Sequence, residues 1–168
     1  FATFRKAMEA AQHIVKLAPI AVELIDRTML GLARDIAMFQ PTINAVVSGD
    51  PEAILFVEFG EDDQDENVRR LKRLAELMGD LGYNWGNSGA RWGGVIEVLD
   101  APLQTAIAEL RAAGLNVMMS MKDAGKPISF VEDCAVPLEH LADYTAKLTE
   151  VFEKNGISVH QLMPTTVI

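Results

Sequence analysis

The chain has 168 residues, 49% of them hydrophobic, and carries a formal net charge of -9 at pH 7. One domain spanning residues 1–168 can bury a proper core at that length, while the acidic balance excludes the basic surface that a nucleic-acid partner requires. A single cysteine, Cys134, cannot close an internal disulfide and no apolar run reaches bilayer length, so the chain reads as cytoplasmic. It starts at Phe1 with no charged leader, which predicts either an excised fragment or a polypeptide whose start is not shown.

Helical and extended patterns alternate from there on. Thr3 is placed to cap a helix that sets Phe4, Met8, Ala11 and Val15 on one face and ends near Pro19. Residues 20–25 read as a strand in which Glu23 is an acid among apolar neighbours. Asp26 is placed to cap a helix through Met29, Leu32, Ala33 and Ile36 that Pro41 closes. Ser48-Gly49-Asp50-Pro51 has turn chemistry, and residues 53–59 form a nearly continuous apolar run expected to be a central strand. Glu61, Asp62, Asp63, Asp65 and Glu66 then precede a helix with Val68, Leu71, Leu74, Ala75, Met78 and Leu81 on one face. Helix polarity accounts for these acids better than a calcium loop does. No glycine stands at the turn position and no glutamate closes such a loop, so no metal site is assigned.

Residues 84–94 are rich in glycine and include Trp85 and Trp92, which either line a ligand pocket or, more plainly, cover the core at a turn. A phosphate cradle would need a helix after this loop, whereas residues 95–99 read as a strand. Residues 102–121 read as a helix interrupted at Gly114, with Met118, Met119 and Met121 filling an adaptable core or interface. The stretch 126–137 sets two adjacent acids, Glu132 and Asp133, inside an apolar run that otherwise reads as a strand, with Cys134 a small buried hydrophobe. Acids so placed belong either to an edge strand, meeting water or nearby cations, or to a site. Pro137 then opens a helix with Leu138, Leu141, Tyr144, Leu148, Val151 and Phe152 facing inward. Asn155-Gly156 ends it, and residues 157–162 are the last strand.

Three runs carry a family resemblance: Pro19-Ile20-Ala21-Val22-Glu23-Leu24-Ile25-Asp26-Arg27; Leu110-Arg111-Ala112-Ala113-Gly114-Leu115; and, above all, Lys126 to Pro137 followed by Leu138-Glu139-His140-Leu141. Together they resemble the C-terminal, substrate-side domain of FAD-linked oxidases, a group that includes D-lactate dehydrogenases, the glycolate oxidase flavin subunit and D-2-hydroxyglutarate dehydrogenase. The variant here is also similar to members fused to iron–sulfur domains. The resemblance implies an α+β, ferredoxin-like cap with a mainly antiparallel sheet covered by helices. Such a cap packs over FAD held by a separate FAD-binding domain and selects a 2-hydroxy acid that gives a hydride to the flavin.

On that resemblance Arg111 matches the arginine of a Trp-x-x-Arg element that holds the substrate carboxylate, a planar two-point match of guanidinium to acid. A surface arginine paired with Glu109 or solvent is the bland alternative. Lys126, Glu132 and Asp133 complete the implied substrate-binding set. The implied partners are an electron-acceptor domain or protein, with iron–sulfur clusters in the parent enzyme and a place at the inner membrane periphery; a homo-oligomer is compatible. Three departures stand out. The flavin domain is absent, so the chain alone is expected to be inactive. The family's His-x-Gly-x-Gly-Asn-x-His run is replaced by a segment with one histidine, His160, while His13 and His140 fall on helices. Ala108 stands where the tryptophan would be. An alternative of a different class is a non-catalytic ferredoxin-like module that binds a ligand or pairs with itself.

Overall fold

A computed structural model describes residues 1–114, 116 and 134–157, together with the backbone of 165–166. Helix α1 (Phe4–Ile14) starts where Thr3, in extended backbone, accepts a hydrogen bond from the Lys6 amide. It runs on through a 3-10 turn (Val15–Leu17) that stops at Ala18. Strand β1 (Ala21–Asp26) follows, and Asp26 caps α2 (Arg27–Arg34) by accepting from the Met29 amide at 2.9 Å. Helix α3 (Gln40–Val46), strand β2 (Ala53–Glu58) and the long helix α4 (Gln64–Asp80) come next, then α5 (Ala101–Ala112), α6 (Leu141–Lys154) and the short strand β3 (Thr165–Thr166).

The described strands form an antiparallel sheet in the order β2-β1-β3, with Glu23 opposite Phe56 and Ala21 opposite Glu58. Side chains alternate across it, as the pleat requires. On one face, Val22, Leu24, Ala53 and Leu55 pack against Ala7, Met8, Ala10 and Ile14 of α1, with Leu74 and Met78 of α4 and Leu141 of α6 joining them. On the other, Ile25, Ile54 and Phe56 meet Met29, Leu30 and Ala33 of α2, Ile43 of α3 and Leu110 of α5. The fold is α+β, with an antiparallel sheet between two layers of helices.

Several expectations need correction. Pro41 opens α3 instead of closing α2: it sits in the first turn, where its missing N–H is no loss. The 53–59 run is an edge strand among the described residues. Its apolarity comes from burial on both faces, and Phe1 donates to and accepts from Ala53 on its outer edge. Residues 95–99 run as irregular chain with no strand partner among the described residues. The helix expected over 102–121 runs as α5 to Ala112, breaks at Ala113 beside the expected Gly114, and is helical again at Gly114 and at residue 116; 117–121 lie outside the described residues. Cys134 is exposed and hydrogen-bonded with Tyr144, and Val151, expected to face inward, is exposed on α6. Of the strand expected over 126–137, residues 134–137 are irregular and 126–133 lie outside the described residues, as do 158–162 of the expected last strand.

Candidate functional site

Glu23 and Glu58 share the sheet face that looks toward α5, since each stands an even number of residues from its core-facing neighbours Ile25 and Phe56. Because Glu58 lies opposite Ala21 and not opposite Glu23, the two carboxylates are diagonal neighbours across the strand pair. Both point to the end of the sheet where β1 begins and β2 ends. Two like charges so placed need a cation between them. Arg111, in the last turn of α5, supplies it.

The arginine is held unequally. Its Nε donates to Glu23 Oε2 at 2.7 Å and its Nη2 donates to Glu23 Oε1, so one carboxylate takes one whole edge of the guanidinium. Its Nη1 reaches Glu58 Oε2 only at 3.4 Å. The Glu23 side chain is 13% exposed, that of Arg111 28% and that of Glu58 53%. The hydrogen bonds and negative charge of Glu23, supplemented by Glu58, raise the arginine's pKa from its already high ordinary value, so it stays charged at any working pH. Its partners are the two strand acids and not Glu109, its neighbour on α5.

A cleft of about 720 Å³ opens beside this cluster along β2. Gln104, Ile107, Ala108 and Arg111 line it at helical spacing from α5, and Phe56 and Glu58 line it from β2. Ala108 is thus a small residue in the wall at the position where the sequence pattern puts a tryptophan. Gln104 donates to the Val98 carbonyl at 3.0 Å, which fixes the irregular 95–99 segment as part of the rim.

Trp85 and Trp92 also line the cleft, stacked edge to face with ring centroids 5.6 Å apart. The glycines explain how the pair is seated. A Cβ at Gly49, whose φ of 65° already disfavours a side chain, would fall 2.8 Å from the Trp92 ring; one at Gly94 would fall 2.5 Å from Trp85. The two tryptophans therefore both cover a turn and shape the cleft wall, and the two readings of them merge. Sequence reasoning singled out Arg111 and missed Glu23 and Glu58 as its partners. The available signal was one acid inside each of two consecutive apolar strands. Lys126, Glu132 and Asp133 lie outside the described residues. No group of three potential metal ligands occurs among the described residues.

The chain matches the family described as FAD linked oxidases, C-terminal domain, over residues 1–166, and it belongs to that family. It is similar to the D-2-hydroxyglutarate dehydrogenase of Escherichia coli (strain K12), with 31% identity over 163 residues, covering 93% of this chain and 15% of that protein. The enzymes of the same description from Pantoea ananatis (strain AJ13355) and Haemophilus influenzae (strain ATCC 51907 / DSM 11121 / KW20 / Rd) are 29% and 26% identical over 161 residues each. They cover 92% and 94% of this chain, and 15% of either protein. The chain thus spans about 15% of the length of the curated relatives it matches. No solved structure matches it.

Proposed function

We propose that this chain is the substrate-side domain of an FAD-dependent 2-hydroxy-acid dehydrogenase, and that Arg111 binds the carboxylate of the acid. The observation that carries this reading is the position of Arg111: a permanently charged, partly exposed guanidinium in the wall of a cleft lined by both apolar and polar groups, on a domain of this family. A planar fork of donors suits a carboxylate. The relatives favour D-2-hydroxyglutarate over D-lactate or glycolate as the acid to try first. Lys126, Glu132 and Asp133 keep the substrate-side assignment that the family resemblance implies for them.

The described residues do not suit the phosphates of FAD. The glycine-rich loop runs into a three-residue turn (Gly89–Arg91) and irregular chain, with no helix N-terminus to receive a phosphate. The flavin is assigned to a separate domain of the same enzyme, and electron transfer onward to an acceptor domain or protein; this chain contributes binding and orientation. Iron–sulfur clusters and a place at the inner membrane periphery belong to the same proposal. Among the described residues no helix is long and apolar enough to cross a membrane.

The test is the visible spectrum of the native polypeptide that carries this chain, before and after anaerobic addition of each of the three acids. A flavin band that bleaches with one of them supports the reading. A colourless protein sinks it. In the native enzyme Arg111→Lys should raise KM for the acid on the order of tenfold or more, because a point charge replaces a bidentate fork, while flavin content stays the same. Unchanged kinetics would remove Arg111 from the site.

A further inference from the structure

The two carboxylates on Arg111 are not equivalent, and their difference suggests distinct roles. Glu23 is nearly buried, its backbone is paired on both sides, with Phe56 on β2 and Thr166 on β3, and it engages a complete edge of the guanidinium. Such a group cannot leave without exposing an uncompensated buried charge. Glu58 ends its strand, is more than half exposed, and approaches Nη1 at 3.4 Å, well beyond the 2.7–2.9 Å of a tight charge-assisted bond. It can leave for water at little cost. Glu58 lines the cleft with Arg111, so it stands on the side from which a ligand would approach.

We propose that Glu58 is a resident carboxylate that occupies the acid-binding edge of Arg111 and is displaced by the incoming hydroxy acid, while Glu23 is the positioning residue that fixes the plane of the guanidinium. This rests on the reading of Arg111 as the carboxylate binder. The cluster holds one positive and two negative charges, so an anion arriving without displacing Glu58 would meet net repulsion. Displacement exchanges one carboxylate for another at Nη1 and leaves the Glu23 pair at Nε and Nη2 intact. A neutral ligand of the same shape offers nothing to replace Glu58 and is refused. Glu58 therefore lowers affinity for the acid and sharpens selection for a charged one.

The test is steady-state kinetics of the native flavin-loaded enzyme with D-2-hydroxyglutarate, and inhibition by malonate, a dicarboxylate with no hydroxyl to oxidise. Glu58→Gln removes the competing charge while keeping the side chain's size at an exposed position, and flavin content reports that the fold is kept. KM for the acid and Ki for malonate should both fall about threefold to fivefold, the range in which exposed ion pairs act, with the gain in KM rather than kcat. Glu23→Gln should do the reverse and raise both. If Arg111→Lys raises KM but Glu58→Gln leaves KM and Ki unchanged or raises them, the displacement proposal is overturned and the carboxylate reading survives. If Arg111→Lys has no effect either, the carboxylate reading has failed and this proposal with it.

Discussion

The two faces of the sheet are built from alternate residues of the same two strands, yet they serve different ends. Val22, Leu24, Leu55 and Val57 give α1, α4 and α6 an apolar surface throughout. The opposite face starts the same way, with Ile25, Ile54 and Phe56 against α2, α3 and α5, and then changes to Glu23, Glu58 and Arg111 at the end that borders the cleft. Burial on the first face supplies cohesion without direction, at about 25 cal/mol for each Å² of apolar surface removed from water. Charges on the second are weak contributors to stability but impose direction and select a partner by sign. A shift of one residue in register would exchange the two sets, so the pairing of β1 with β2 protects the site as well as the core.

The contrast can be broken most severely from the apolar side. Leu24 is 1% exposed between α1 and α6, and Leu24→Ala should cost about 2–5 kcal/mol in chemical unfolding of the chain. A loss below about 1 kcal/mol would show that this face is not close-packed. Gly49→Ala comes next. Its positive φ alone costs a non-glycine residue about 1–2 kcal/mol, and displacement of the Trp92 ring adds to that. The loss should appear together with an altered tryptophan emission maximum, because Trp92 is the ring that must move.

The charged face predicts a different outcome. Replacing the pair together, as Glu23→Leu with Arg111→Met, removes both charges and substitutes apolar groups of similar length. Stability should stay within about 1 kcal/mol of the parent or rise, because a part-buried ion pair recovers little beyond its own desolvation. Reduction of the flavin by the acid should be lost in the same variant. A large loss of stability would mean that the ion pair holds the fold together, and the division of labour between the faces would not stand.

How far this division was legible in the sequence depends on how local its cause is. Thr3 and Asp26 as helix caps were readable because a cap depends on three or four neighbouring residues. Pro41 misled because proline suits both the position after a helix and the first turn of the next one, and only the chain's path decides. The 95–99 stretch has strand composition but no strand partner among the described residues, and pairing is a tertiary event that composition cannot supply. Arg111 was found through its flanking pattern. Glu23 and Glu58 lie 88 and 53 residues away in sequence from it, and only the register of β1 on β2 brings them together.

The smallest expected effect concerns the outer surface of the apolar side, where charges reappear. Arg5 on α1 reaches Asp143 on α6 at 2.6 Å and Glu9 on its own helix at 2.9 Å, so it ties two helices that the core already joins. The hydrogen bond from Arg5 pulls the Asp143 carboxyl below its ordinary 3.8, and Lys6, ahead of Arg5, pulls Glu9 below 4.5. A carboxylate whose pKa is depressed by folding stabilises the native state fully above its unfolded value. That contribution fades as pH falls through the lower, folded value. The difference in Tm between the parent and Arg5→Ala should accordingly be small but present at pH 7, and should shrink once pH falls below 3.8 and Asp143 gains its proton. Since these side chains are exposed, salt should erase much of the same difference at neutral pH. A Tm difference that persisted through both treatments would mean that the aliphatic stem of Arg5, packed between α1 and α6, matters more than its charge.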